Sequence, residues 1–71
     1  MEELIEEYRS LCHEDISSFS KAEKVLYYKN IAHEIDQILS KQVGFDYFEK
    51  FIEIKRFALS KIYENQEVSN E

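Results

Sequence analysis

The sequence predicts an all-α protein, a three-helix antiparallel bundle, and three observations carry that prediction. Apolar residues recur at three- and four-residue intervals along three separate stretches. Proline is absent and glycine occurs once, so little interrupts those stretches. The connections between them are short, which makes successive helices antiparallel neighbours. A chain of 71 residues accommodates one domain, placed here at 1–64.

The first helix is expected over about residues 2–15. Leu4, Ile5, Tyr8, Leu11, Cys12, Ile16 and Phe19 follow the helical period and cover an arc of roughly 140° at 100° per residue. Glu2 and Glu3 sit in the first turn, where the positive end of the helix dipole favours them. Ser17-Ser18-Phe19-Ser20 interrupts the pattern, and Ser20 followed by Glu23 has the form of a capping box.

The second helix is therefore predicted over about 21–41, with Val25, Tyr28, Ile31, Ala32, Ile35, Ile38 and Leu39 as its apolar stripe. Gly44 supplies a residue tolerant of the left-handed region beyond its end. Asp46 and Glu49 form a second capping-box-like start, opening a third helix over about 47–64. Its apolar stripe is read as Phe48, Phe51, Ile52, Ala58, Leu59, Ile62 and Tyr63. Residues 65–71 carry one apolar residue and are expected to form a disordered acidic tail. The same helices also permit a competing arrangement, a dimeric helical bundle in which the two long helices pair with those of a second copy.

With 44% apolar residues and ten aromatics, the chain has enough apolar surface to fold. A single cysteine excludes an internal disulfide and suits a reducing compartment, the cytoplasm being the expected location. No basic segment precedes an apolar run, and no apolar run nears the ~18 residues of a membrane span, so neither secretion nor membrane insertion is expected. The net charge of −6 disfavours direct binding to nucleic acid, whose phosphates are met by lysine and arginine. That acidity is concentrated at the ends. Residues 1–20 hold six acids against one base and 64–71 hold three acids, whereas 21–42 and 43–63 each hold three acids against four bases.

The sequence offers little for catalysis. Cys12 lies within the apolar arc of the first helix, a setting that raises a thiol pKa, and His13 is expected on the opposite side of that helix. His13-Glu14 and His33-Glu34 lack the partner spacing of zinc or di-iron helices, and His33 with Asp36 supplies two ligands at most. There is no phosphate-binding glycine loop and no nucleophile elbow. No enzyme activity, metal or cofactor is expected.

Three features exceed what a plain bundle needs. Glu2, Glu3, Glu6 and Glu7 place like charges at i,i+4, which weakens an isolated helix; with Glu14 they mark a candidate acidic face for a basic protein partner. Compensation of the helix dipole is the alternative role for that run. Phe57 is placed on the polar side of the third helix as a candidate interface anchor, and Tyr27, with Leu26, more weakly so on the second. Asp15 and Lys55 fall inside apolar arcs, either to pair with each other or to reach solvent separately.

The resulting functional expectation is a non-enzymatic protein-binding module, an inhibitor or regulatory adaptor acting by occlusion, with imitation of nucleic-acid charge as one form. In size, acidity and helical content the chain resembles the small inhibitors encoded by phages and mobile elements, and also the helical immunity proteins of bacteriocin producers. The resemblance is one of overall character, carried by no motif. The alternative is a homodimeric assembly protein in which Phe57 and surplus apolar surface on the second helix meet a second copy.

Overall fold

A computed structural model describes residues 1–66. Residues 67–71, most of the expected tail, lie outside the described residues. The chain forms α1 (Glu2–Cys12), α2 (Lys21–Leu39) and α3 (Phe45–Gln66). No strand occurs among the described residues. The contacts set an up-down-up bundle. Tyr8 meets Glu34 while Leu11 meets Tyr27, so α1 and α2 run antiparallel. Asp36 pairs with Lys55 while Tyr28 lies near Glu64, so α2 and α3 do too. None of these helices is long and apolar enough to cross a membrane.

The core takes residues from every element. Ile5, Ile35 and Phe51, one per helix, are completely buried, and Cys12, Ile16, Tyr28, Ile31, Ala32, Ile54, Ala58 and Ile62 surround them. Tyr8 meets the Phe51 ring edge-on, with centroids 6.5 Å apart, and this contact seats α1 on α3. The α2–α3 contact is the most extensive in the molecule, and α1 lies mainly against α3.

Local chemistry accounts for most boundaries. The capping box that starts α2 is present: the Ser20 hydroxyl accepts from the Glu23 amide at 3.1 Å, and the Ser20 amide donates to the Glu23 carboxylate at 2.8 Å. Helix α1 is three residues shorter than expected. It stops at Cys12 because His13 leaves helical geometry, and Ile16 then reaches the core from a turn closed by the Phe19 amide on the Ile16 carbonyl. Helix α2 ends two residues early, where the Ser40 hydroxyl donates to the Gln37 carbonyl.

Helix α3 is longer at both ends than expected. The Gly44 carbonyl accepts from the Phe48 amide, so Gly44 precedes the first turn and Asp46 lies inside it, where it complements the dipole and does not form the predicted capping box. Gly44 does not adopt a positive φ, so its predicted role as a left-handed stop is also corrected. At the other end Asn65 donates to the Lys61 carbonyl, and α3 continues to Gln66, taking in the first two residues of the expected tail.

The apolar surface of α3 divides differently from the single stripe read in the sequence. The core-facing residues are Phe51, Ile54, Ala58 and Ile62, whereas Phe48, Leu59 and Tyr63 are exposed. The predicted stripe merged two separate ones, centred roughly 105° apart at 100° per residue. Phe57 is correspondingly not on an open polar face. It is partly buried at the edge of the core, beneath the His13 ring at 5.0 Å and the Lys61 ammonium at 5.4 Å.

Candidate functional site

The outer face of α1 is built by the helical period itself. With Ile5, Tyr8 and Cys12 turned to the core, Glu3, Glu6, Glu7 and Ser10 must face water, and all four are exposed. They line a shallow depression with Met1 and Leu4. Two glutamates of the run are partly neutralised within the chain: Glu2 pairs with Lys50 of α3 at 3.5 Å, and Glu6 with Arg9 at 3.2 Å. Glu3 and Glu7 make no ion pair among the described residues.

A carboxylate from α2 adds to the same side. The Tyr8 hydroxyl donates to Glu34 Oε1 at 2.7 Å. Burial, that hydrogen bond and the charges of Glu34 and Glu7 together push the Tyr8 phenol up to about 12. Glu34 and Glu7 thus flank one tyrosine, and the acidic surface crosses from α1 to α2. Glu14, grouped with the face in the sequence reading, is exposed but lies in the turn after His13, beyond the end of α1.

Tyr27 is committed elsewhere. Its hydroxyl donates to the Leu11 carbonyl at 2.7 Å, a second donor beside the Glu14 amide at the end of α1, and its ring stands edge-on to Phe19 and Tyr28. Its contacts bind α2 to the end of α1, while the neighbouring Leu26 is 60% exposed. Asp15 and Lys55 do not pair. Asp15 accepts from the Ser17 amide and hydroxyl, which hold its carboxyl below the usual range, and Lys55 pairs with Asp36.

Cys12 and His13 are closer in space than the helical wheel implies. Both line a cleft of about 160 Å³ between α1 and α3, with Arg9, Glu53, Ile54 and Phe57. His13 turns toward α3 because it sits at the C-cap, outside helical geometry. No hydrogen bond joins the Cys12 thiol to the His13 ring among the described residues, and burial pushes the thiol pKa up, leaving it protonated at neutral pH. Among the described residues no three His, Cys, Asp or Glu side chains converge on one point, and the Asp36 carboxylate beside His33 is engaged by Lys55.

No protein-family model, curated protein or solved structure matches the chain.

One surface was missed in the sequence reading. Phe45 and Tyr63 are 71% and 76% exposed, Phe48 and Leu59 are 41% and 46% exposed, and Ile52 is half-buried between them, all on one outer side of α3. A groove there is lined by Phe45, Phe48, Glu49, Ile52, Glu53 and Arg56. The signal was available: residues 45, 48, 52 and 59 hold the a and d places of a heptad repeat, while the inclusion of Ile54 and Phe57 makes the helix apolar around most of its circumference.

Proposed function

We propose that the chain is a non-enzymatic protein-binding module, an inhibitor or regulatory adaptor, that applies the outer face of α1 to a basic surface of another protein. The supporting observation is the placement of Glu3 and Glu7. Both stand exposed on one side of α1 with no ion pair among the described residues, in like-charge surroundings that include Glu6 and Glu34. Carboxylates in such a position steer a cationic partner and form charge-assisted bonds on contact. Occlusion is the mechanism, and a partner surface that ordinarily holds nucleic acid is the case in which the carboxylates substitute for phosphates.

The test compares immobilised wild type with a Glu3→Gln, Glu6→Gln, Glu7→Gln variant for retention of partners from the source lysate. The expected result is a basic protein held by the wild type at low salt, released near 1 M salt where the Debye length is ~3 Å, and not held by the variant. A partner retained equally by both chains and insensitive to salt would sink the proposal.

A further inference from the structure

We propose that the outer face of α3 is a self-association surface, on which a second copy of this chain docks its own α3 antiparallel to form a two-fold dimer. Phe45, Phe48, Ile52, Leu59 and Tyr63 fall within roughly 60° of arc, rotated away from the core-facing residues. Exposed apolar residues are ordinary when scattered, but four exposed ones and a half-buried fifth aligned on one side of a single helix are not. Lys50 and Phe51 meet α1, and Phe57 meets His13 just after it, on the other side of the helix, so α1 does not obstruct the stripe.

The order of residues along the stripe identifies the occupant. A two-fold interface requires that whatever one residue touches on the second copy be touched back by symmetry. The stripe meets that demand at its ends: about Ile54, Phe45 and Tyr63 are mirror positions, and Leu59 falls one residue from the mirror of Phe48. Antiparallel pairing there sets Phe45 against Tyr63 of the second copy, Phe48 against Leu59, and Ile52 beside Arg56. Each aromatic end of one helix then meets the aromatic end of the other.

Charge follows the same symmetry. Arg56, Glu49 and Glu53 border the stripe on one flank, and none of them makes an ion pair among the described residues. Antiparallel helices bring equal flanks together, so Arg56 of each copy comes within reach of Glu49 and Glu53 of the other, twice over. Parallel pairing would instead bring opposite flanks together and set Arg56 on the Lys55 side of the other copy, away from Glu49 and Glu53. Acidity does not prevent association at this surface, because residues 43–63 hold four bases against three acids while the excess negative charge lies elsewhere.

The area is adequate. With roughly 200 Å² per aromatic side chain, the exposed fractions of Phe45, Phe48 and Tyr63 supply about 400 Å² per copy. Two copies reach about 800 Å² before Leu59, Ile52 and the charged rim are added, close to the ~1,000 Å² that a specific interface needs.

The experiment is sedimentation equilibrium of the full chain up to high micromolar concentration, with circular dichroism to confirm that every variant is folded. The wild type is expected to dimerise. Phe45→Asp with Tyr63→Asp, both at open positions, should weaken the dimer by about 30-fold or more, the loss typical of hot-spot residues. Arg56→Glu alone, and Glu49→Arg with Glu53→Arg, should each weaken self-association, and an equimolar mixture of the two variants should dimerise again. A monomeric wild type overturns the proposal, as does a dimer that the aspartate variant leaves intact. A dimer disrupted by the aspartates but not recovered in the mixture overturns the antiparallel register. These variants leave α1 unchanged, so their outcome is independent of the acidic-face proposal.

Discussion

The four glutamates at the start of α1 are not equivalent, and neutralising them singly should move stability in opposite directions. Glu2 sits in the first turn and pairs with Lys50, so Glu2→Gln removes a dipole interaction of about 0.3–1 kcal/mol and an exposed ion pair worth up to about 1 kcal/mol. Relief of its i,i+4 repulsion with Glu6 returns a few tenths. The net loss is about 0.5–1 kcal/mol. Glu7 lies beyond the first turn, carries no partner among the described residues and faces the charges of Glu3 and Glu34. Glu7→Gln relieves repulsion and should therefore stabilise by about 0.2–0.5 kcal/mol, since glutamine and glutamate have nearly equal helix propensity. For a domain of this size ~1 kcal/mol moves Tm by about 4–8 °C, which predicts a fall of about 2–8 °C for Glu2→Gln and a rise of about 1–4 °C for Glu7→Gln. Thermal melts followed at 222 nm and neutral pH read both, and both shifts should shrink near 1 M salt. A lower Tm for Glu7→Gln would refute the reasoning and return the run to dipole compensation. A rise means that Glu7 is kept at a cost to stability, as residues serving a surface commonly are.

Other expectations rest on the core, the cap and the tyrosines. Phe51→Ala empties a completely buried site against Tyr8 and should cost about 3–5 kcal/mol, a large share of the ~4–11 kcal/mol available to a chain of this length; a urea midpoint change equivalent to less than ~1 kcal/mol would contradict the packing. Ser20→Ala and Glu23→Ala should each cost about 1 kcal/mol, and the double variant should cost less than their sum because the two bonds form one reciprocal cap. Strict additivity would show the box to be two unrelated bonds. The phenol of Tyr8 is raised to about 12 in the folded chain against ~10 unfolded, so its contribution is present in full below pH ~10 and is lost as pH rises from ~10 to ~12. Tyr27 and Tyr28 are shifted in the same direction, chiefly by burial. Tm should accordingly fall above pH ~10, and Tyr8→Phe should reduce that fall by about 1 kcal/mol after allowance for solvent screening; an unchanged alkaline limb would be the contrary result.

The three helices were legible because each has an apolar period and α2 carries its own start signal in Ser20 and Glu23. What escaped was whatever depends on which neighbour an apolar residue meets. Ile16 and Phe19 continue the period of α1, yet Ile16 enters the core from a turn and Phe19 is exposed at its edge, because periodic spacing reports burial as readily as helicity. Asp46 and Glu49 mimic a capping box, but Gly44 already supplies the first helical acceptor. On α3 the helical wheel alone could not separate a core stripe from an outer one, and averaging them put Phe57 on a polar face that it does not occupy. For the acidic run the sequence located the side chains, while the structure distinguished Glu2 and Glu6, which have cations, from Glu3 and Glu7, which have none among the described residues.

The two proposed surfaces lie on different sides of the bundle, which has a consequence for how they would act together. The α3 stripe faces away from α1, so a dimer built on it keeps α1 of each copy at its periphery with Glu3 and Glu7 uncovered. Such a dimer offers two identical acidic faces pointing apart. A partner with one basic site gains nothing from the second face, whereas a repeated partner, or an extended basic surface, is engaged at both ends and is held more tightly by effective concentration alone, by about 10²-fold or more. Phe45→Asp with Tyr63→Asp therefore discriminates between kinds of partner as well as testing the dimer: it leaves affinity for a single-site partner unchanged and removes the avidity toward a repeated one. Neutralising Glu3, Glu6 and Glu7 abolishes both while leaving the dimer in place.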